Sequence, residues 1–296
     1  MKIFFIGSVY FSRCMLEAII QIEGIQVVGV ATKSKSKFNS DHSDLSDLAI
    51  DNDIPYKYVK DINAINITEW ISSLSPDVIY CFGWSSLIKE KLLSLTKYGV
   101  IGFHPAKLPQ NRGRHPLIWA LVLGLKETAS TFFKMDMGAD TGDILNQKNI
   151  IIEDDFTAND LYKRTINTAK EQLPIFTLEL MNNKANWIKQ DDSKSNYWRK
   201  RGVEDGQIRF SSSSKTICNL VRALSKPYVG AHLFFDGVEI KVWSCKKGPK
   251  AHPNLEYGKV IDRLENNHIL IKTGDGSVWI TEHEFSILPE INDYIL

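Results

Sequence analysis

Charge of one sign is what this chain most clearly lacks. Its 36 Lys and Arg balance 35 Asp and Glu, leaving a formal charge of +1. No global field therefore selects nucleic acid or an anionic membrane surface, although a local basic patch stays open. Long apolar runs are missing too, and a bilayer-spanning helix needs about 20 such residues. The opening Met1-Lys-Ile-Phe-Phe-Ile-Gly7 is too short for a secretory leader, and no small-residue cleavage site follows it. Cysteine is scarce and scattered. Cys14, Cys81, Cys218 and Cys245 form neither a CxxC pair nor a metal-like cluster. They are expected to be reduced thiols of a cytoplasmic protein, mostly small core residues without a redox or metal role. Glycine is sparse where it would be diagnostic: Gly7 alone follows the first apolar run, so the dinucleotide fingerprint is absent. A structural turn there competes with an anion site at the next helix. The sequence holds no internal repeat or low-complexity tract.

What is present is an alternation. With 43% hydrophobic residues over 296 positions, the chain can bury one large core and a small one. Short apolar runs at 2–6, 25–30, 56–59, 78–82 and 99–103 alternate with helical spacing at 10–20, 44–51, 62–74 and 87–95. That order predicts an α/β domain with a mostly parallel, doubly wound sheet. Ligands sit outside the carboxyl ends of such strands, so the loops 83–86 and 104–114 qualify. The segment 32–46 starts with Lys33, Lys35 and Lys37, turns acidic at Asp41 and Asp44, and reads as a solvated surface loop. A helix over 116–125 precedes strands at 128–135 and 143–151, whose short connection makes a hairpin and a mixed sheet edge. Thr157-x-x-Asp160 has capping-box form and opens a long amphipathic helix. Residues 189–207 read as a linker between an N-terminal domain, 1–188, and a C-terminal one, 208–296. In the latter a helix over 212–223 precedes five short strand signals between 231 and 281, with hairpin chemistry at Asp236-Gly237 and Gly274-Asp-Gly276, together a small barrel.

His104 closes the fifth strand run, a position suited to proton work. Asp140, between Gly138 and Gly142, is expected to meet and orient it. A turn Asp capping its own backbone fits Asp140 equally well. Asp136 and Asp143 lie nearby, but no His of metal-ligand spacing joins them, so no metal is expected. Arg112 and Arg114 suit a carboxylate or phosphate, and surface arginines fit as well. His115, before Pro116, reads as structural support. Tyr197-Trp-Arg-Lys-Arg201 has the stacking and basic groups of a nucleic-acid contact. In a neutral chain that single cluster reads better as a linker packed on the main domain.

These segments together resemble the folate-dependent formyltransferases, which include methionyl-tRNA formyltransferase and the sugar-nucleotide N-formyltransferases. The likeness covers nearly the whole chain. It is carried by Phe103-His-Pro-Ala-Lys-Leu-Pro109, Arg112-Gly-Arg-His-Pro-Leu-Ile-Trp119, Thr128-x-x-Thr131, Met135 and Gly138-Ala-Asp-Thr-Gly-Asp-Ile-Leu145. It continues through Arg199-Lys-Arg201, Glu204-Asp-Gly206, Asn219-Leu-Val-Arg-Ala223 and Pro227-Tyr-Val-Gly-Ala231. The resemblance implies a Rossmann-like domain followed by a small OB-like barrel. It also implies transfer of a formyl group from 10-formyltetrahydrofolate to a primary amine, without a metal. By this resemblance His104 is the catalytic His and Asp140 the Asp that holds it. Ser86, Leu87 and Ile88 match the pterin-contacting segment. Arg114, Asp136, Met137, Gly138, Ala139 and Asp140 match further folate-contacting positions. The family usually carries Asn two residues before the His, where this chain has Gly102. Asn111 on the following loop, or alternatively a water filling the gap, is expected to replace the missing oxyanion donor, an interaction worth about 3 kcal/mol in other enzymes.

The wording of 103–119 is most like the sugar branch. That implies a nucleotide-linked amino sugar as acceptor and a place in cell-surface polysaccharide synthesis. The tRNA branch usually reads His-Gly-Ser-Leu-Leu-Pro at this point, with a longer basic loop near residue 40 that is acidic here. Methionyl-tRNA is the alternative acceptor, and a non-catalytic folate-binding protein is the reading that the missing Asn suggests. Exposed C-terminal strands leave a homodimer open.

Overall fold

Lys2–Ile6 form β1, and all but the first of these residues are buried. The computed structural model describes residues 1–36 and 40–295, so Lys37 of the expected surface loop lies outside the described residues. After β1 come α1 (Tyr10–Ile20), β2 (Gln26–Thr32), α2 (Ser46–Asp51), β3 (Tyr56–Tyr58), α3 (Ile65–Ser73), β4 (Val78–Cys81), α4 (Glu90–Leu93) and β5 (Val100–His104). β1 pairs in parallel with β2 and β4, β2 with β3, and β4 with β5. Strands covered on both faces need continuous apolar runs, and Val-Ile-Tyr-Cys of β4 is buried at every position. Next are β6 (Arg112–Gly113), α5 (Pro116–Val122), β7 (Glu127–Lys134), β8 (Ile144–Ile151), α6 (Ala158–Met181) and β9 (Tyr197–Trp198). The large sheet has the order β3-β2-β1-β4-β5-β7-β8, with β7 antiparallel to β5. The expected mixed edge is present, and His104 ends the strand beside it.

The turn after β1 is structural. The Ser8 and Val9 amides donate to Ser12 Oγ at 3.2 Å, and Ser12 Oγ donates to the Phe82 carbonyl at 2.6 Å. Amides that an anion would need are already engaged. Two helices start later than their apolar spacing predicts, and bonds of Asp61 and Asn63 account for both starts. Its amide donates to Asp61 Oδ1 at 3.0 Å, an Asx turn that delays α3 to Ile65. Its side chain donates to the Leu87 carbonyl at 2.9 Å and accepts the Lys89 amide at 2.7 Å. Lys89 is thereby held extended, and α4 starts at Glu90. Thr157 and Asp160 do form the reciprocal cap: the Thr157 amide donates to Asp160 Oδ2 at 3.0 Å, and the Asp160 amide to Thr157 Oγ1 at 3.4 Å.

Two units divide the chain. The first comprises Met1–Pro116, Thr128–Ile150 and Lys163–Trp198; the second comprises Leu117–Glu127, Ile151–Tyr162 and Arg199–Leu296. The second unit holds α7 (Ser214–Leu224), β10 (Ala231–Phe235), β11 (Val238–Lys247), β12 (Val260–Arg263), β13 (Ile269–Lys272) and β14 (Ser277–His283). Its strands form a five-stranded antiparallel sheet in the order β10-β11-β14-β13-β12. Asp236 and Gly237 take positive φ, 50° and 77°, as the expected hairpin turn requires. The cysteines do not share one environment. Cys14 and Cys81 are buried, as expected for core residues. Cys218 on α7 and Cys245 on β11 are only half-buried, and their sulfurs lie 3.4 Å apart, so the core reading is corrected for this pair. No helix among the described residues is long and apolar enough to cross a membrane.

Candidate active site

His104 stands opposite Thr131 of β7 and is only 5% exposed. Its ring lies between two oxygen acceptors. Nε2 is 2.8 Å from the Asn111 carbonyl oxygen, and Nδ1 is 3.5 Å from Asp140 Oδ2. A carbonyl oxygen only accepts, so Nε2–H is the donor there, and an N–H on Nδ1 would face the carboxylate. The structure thus brings His104 and Asp140 together, 36 positions apart in a chain that offers no local link between them.

Asp140 is fixed in turn. Its φ of 60° lies in the left-handed region, which Asp tolerates better than most residues. Oδ2 accepts the Gly113 amide at 2.9 Å, and the Asp140 carbonyl accepts Gln190 Nε2 at 2.9 Å. Gly142 closes the same loop. A Cβ there would lie 1.7 Å from the Lys134 carbonyl oxygen, so no side chain fits. Asp136 wraps the loop by accepting the Gly138 amide at 2.9 Å and the Thr141 hydroxyl at 2.5 Å. Met137, Gly138 and Ala139 are left on its exposed side.

The loop after His104 is tied along its length. Thr128 Oγ1 and Thr131 Oγ1 donate to the Pro105 and Ala106 carbonyls at 3.1 and 2.7 Å, and Gln147 Nε2 donates to the Leu108 carbonyl at 3.1 Å. Farther on, the Asn111 amide donates to Asn196 Oδ1 at 2.8 Å and the Arg112 amide to the Asn196 carbonyl at 3.0 Å. The Arg114 amide donates to the Trp198 carbonyl at 3.1 Å. β6 and β9 therefore pair in parallel. Within 189–207, expected as a linker, residues 190–198 brace the catalytic loop.

Arg112 does not reach outward. It is 1% exposed and donates to Gln190 Oε1 at 3.2 and 2.8 Å, to the Tyr197 hydroxyl at 3.0 Å and to Asp192 Oδ1 at 2.8 Å. Burial works against its charge, but the bonds to Asp192 and Tyr197 outweigh burial and raise its pKa. Both outward readings of Arg112, anion ligand and surface residue, are thus corrected: the guanidinium is an internal strut. Gln190 completes it, donating to the Asp140 and Gly142 carbonyls at 2.9 and 2.7 Å. Sequence reasoning missed Gln190 because its partners are 78 and 50 residues away and a lone Gln in a polar tract has no periodic signature.

Arg114 faces outward, with Nη1 3.5 Å from the Ser85 carbonyl oxygen. That places it beside Ser86, Leu87 and Ile88. Ser86 and Leu87 are exposed, whereas Ile88 is buried in the core. Asn63, likewise missed, anchors this loop through the two bonds described above. At Gly102, a Cβ would meet Met135 Cγ at 2.8 Å and Phe133 Cζ at 3.1 Å, so Met135 occupies the room an Asn would need. Asn111 has a φ of 63°, with its carbonyl on His104 and its side chain partly exposed. His115 has a φ of 55° at the start of α5. Within the second unit, Arg201 lies 4.7 Å from the Trp119 ring centre and Arg199 is ion-paired with Asp205. Two cations of the basic stretch are thus engaged internally. Among the described residues, no group of three or more His, Cys, Asp or Glu is arranged to hold a metal.

Comparison with known proteins agrees with this layout. Residues 1–177 match the Formyl transferase family and residues 201–288 the Formyl transferase, C-terminal domain family. A methionyl-tRNA formyltransferase from Caldanaerobacter subterraneus subsp. tengcongensis is 29% identical over 100% of this chain and 96% of its own length. The bifunctional polymyxin resistance protein ArnA of Wigglesworthia glossinidia brevipalpis is 36% identical over 193 residues, which are 65% of this chain and 30% of that relative's length. Among solved structures, an N-formyltransferase from Helicobacter canadensis in complex with folinic acid and dTDP-3-aminofucose superposes with a TM-score of 0.73. It is 19% identical and covers 95% of this chain and 99% of its own. With both matched segments in order and the His–Asp pair at the mouth of the first sheet, the chain belongs to the formyl transferase family.

Proposed function

We propose that this enzyme moves a formyl group from 10-formyltetrahydrofolate to the primary amine of a nucleotide-linked amino sugar. The observation that carries the chemistry is the His104 ring, held between the Asp140 carboxylate and the Asn111 carbonyl at the open end of β5. A neutral amine attacks the formyl carbon. With the Asn111 carbonyl displaced from Nε2, the His104 ring, oriented by Asp140, donates Nε2–H to the formyl oxygen on which negative charge develops. Nε2 then gives that proton to the departing folate nitrogen and takes the one that the attacking nitrogen releases. The partly exposed Asn111 side chain, on the residue whose carbonyl meets the ring, supplies the donor that Gly102 cannot. The exposed 85–87 segment offers backbone groups and the Leu87 side chain to a pterin, flanked by Arg114 and the loop 136–140.

Two observations support an amino sugar as acceptor. The neighbour solved with dTDP-3-aminofucose covers nearly the whole chain. The segment before α2 turns acidic at Asp41 and Asp44, where Asp44 accepts the Tyr58 hydroxyl, and such a segment is unsuited to tRNA phosphates. A second reading, methionyl-tRNA, is favoured by relatives 29% and 30% identical along nearly their full lengths. The test is to supply 10-formyltetrahydrofolate with either a panel of amino-sugar nucleotides or methionyl-tRNA and follow tetrahydrofolate release. Turnover on an amino-sugar nucleotide is expected. Turnover on tRNA alone would overturn the acceptor, and folate binding without turnover on any acceptor would make this a binding protein.

A further inference from the structure

Cys218 and Cys245 take no part in the site described above. They lie in the second unit, on α7 and β11, and the Cys245 thiol donates to Cys218 Sγ at 3.4 Å. Alternation along β11 buries Ile240 and Val242, which would send Ser244 inward and Cys245 away. The pairing register with β14 shifts on either side of Ser244. Such a bulge re-aims the residue that follows, and here Cys245 meets α7. Both cysteines are partly exposed and line an open cavity of about 540 Å³, together with Lys215, Arg222, Trp243 and Lys247.

We infer that Cys218 and Cys245 are a reversible dithiol–disulfide pair, with Cys218 the thiolate that meets a peroxide and Cys245 the thiol that resolves it. The distance favours this. The sulfurs already touch at 3.4 Å, and a disulfide bond is about 2.0 Å long. The roles follow from the surroundings. The Cys245 S–H bond lowers the Cys218 pKa against the effect of burial, and Arg222 and Lys247 lower it further. The same contact raises Cys245 and keeps it a thiol. The other two cysteines differ: burial raises Cys14 and pushes Cys81 up to about 12. Only the thiolate is the nucleophile.

The steps balance. The Cys218 thiolate attacks one oxygen of hydrogen peroxide, the O–O bond breaks, and hydroxide leaves, giving a sulfenic acid. Cys245 sulfur attacks Cys218 sulfur, the S–O bond breaks, and the hydroxyl departs as water with the thiol proton. Two electrons have passed from the two sulfurs to one peroxide, and a small thiol such as glutathione reverses the change by exchange.

The test uses the intact native chain. It is treated with limiting hydrogen peroxide, then alkylated in denaturant, digested without reductant and analysed by mass spectrometry. A peptide joining Cys218 to Cys245 is expected, lost after reduction, with Cys14 and Cys81 found alkylated. Before oxidation, Cys218 should react with iodoacetamide at least about tenfold faster than Cys14 or Cys81. In Cys245→Ser, Cys218 should stop as a sulfenic acid that a 1,3-dione traps. Wild-type Cys218 that stays unmodified, proceeds to sulfinic acid without a cross-link, or joins another partner would overturn the inference.

Discussion

Two loops leave the carboxyl ends of the adjacent strands β4 and β5, and they are held in opposite ways. The loop after β5 is bonded at Pro105, Ala106, Leu108, Asn111, Arg112 and Arg114, with the Arg112 guanidinium buried beneath it. The loop after β4 is pinned by Asn63 and leaves Leu87 74% exposed. One fixes a ring to within a hydrogen bond; the other presents surface. Where a group's position sets the rate, a displacement of about 1 Å is costly, so bracing belongs on the His104 side. A surface that only has to receive a ligand needs less.

That contrast can be broken at several points. The largest effect is expected from His104→Ala, which should lower kcat by about 10²–10⁴-fold while folate binding persists; tetrahydrofolate release and a binding titration read the two separately. Asn111→Gly comes next. It keeps the left-handed backbone and the carbonyl on His104 while removing the amide, and a loss of about 10²–10³-fold in kcat is expected. Unchanged turnover would leave Asn111 only its backbone role. Arg112→Ala should cost about 1–3 kcal/mol in urea unfolding, because buried Gln190 loses its donor. Arg112→Lys should not restore it, since one ammonium lacks the fork that spans Gln190, Tyr197 and Asp192. A wild-type unfolding curve for Arg112→Ala would remove the brace from the account. The smallest effect is expected on the open side. Asn63→Ala should raise the KM for 10-formyltetrahydrofolate by no more than about tenfold, with kcat unchanged, since one modest hydrogen-bonding site is lost.

The same contrast explains what was legible in the amino-acid sequence. The parallel sheet could be read because doubly covered strands are continuous apolar runs, as in Val78–Cys81. The end of β5 then located His104 by the geometry of such sheets alone. Its partner Asp140 was a candidate because glycines bracket it, and Gly142 is indeed required by the Lys134 carbonyl. The brace was hidden. Arg112, Gln190 and Asn196 act across the chain, through single side-chain contacts that leave no period, and 189–207 reads as a linker for the same reason. Asn63 was hidden likewise, and with it the late start of α4, whose apolar spacing extends over residues that one distant amide holds extended. Gly102 was visible as a departure from the family pattern, but not that Met135 fills its space. The cysteine pair was missed because 27 residues and a strand bulge separate its members.

The most direct measurement is kcat for Asp140→Asn at saturating 10-formyltetrahydrofolate and acceptor. The substitution keeps shape and the Gly113 contact but removes the charge facing His104 Nδ1. A fall of about 10²–10⁴-fold with little change in the KM for folate is expected if the pair performs the transfer. A kcat within a few-fold of wild type would contradict the account.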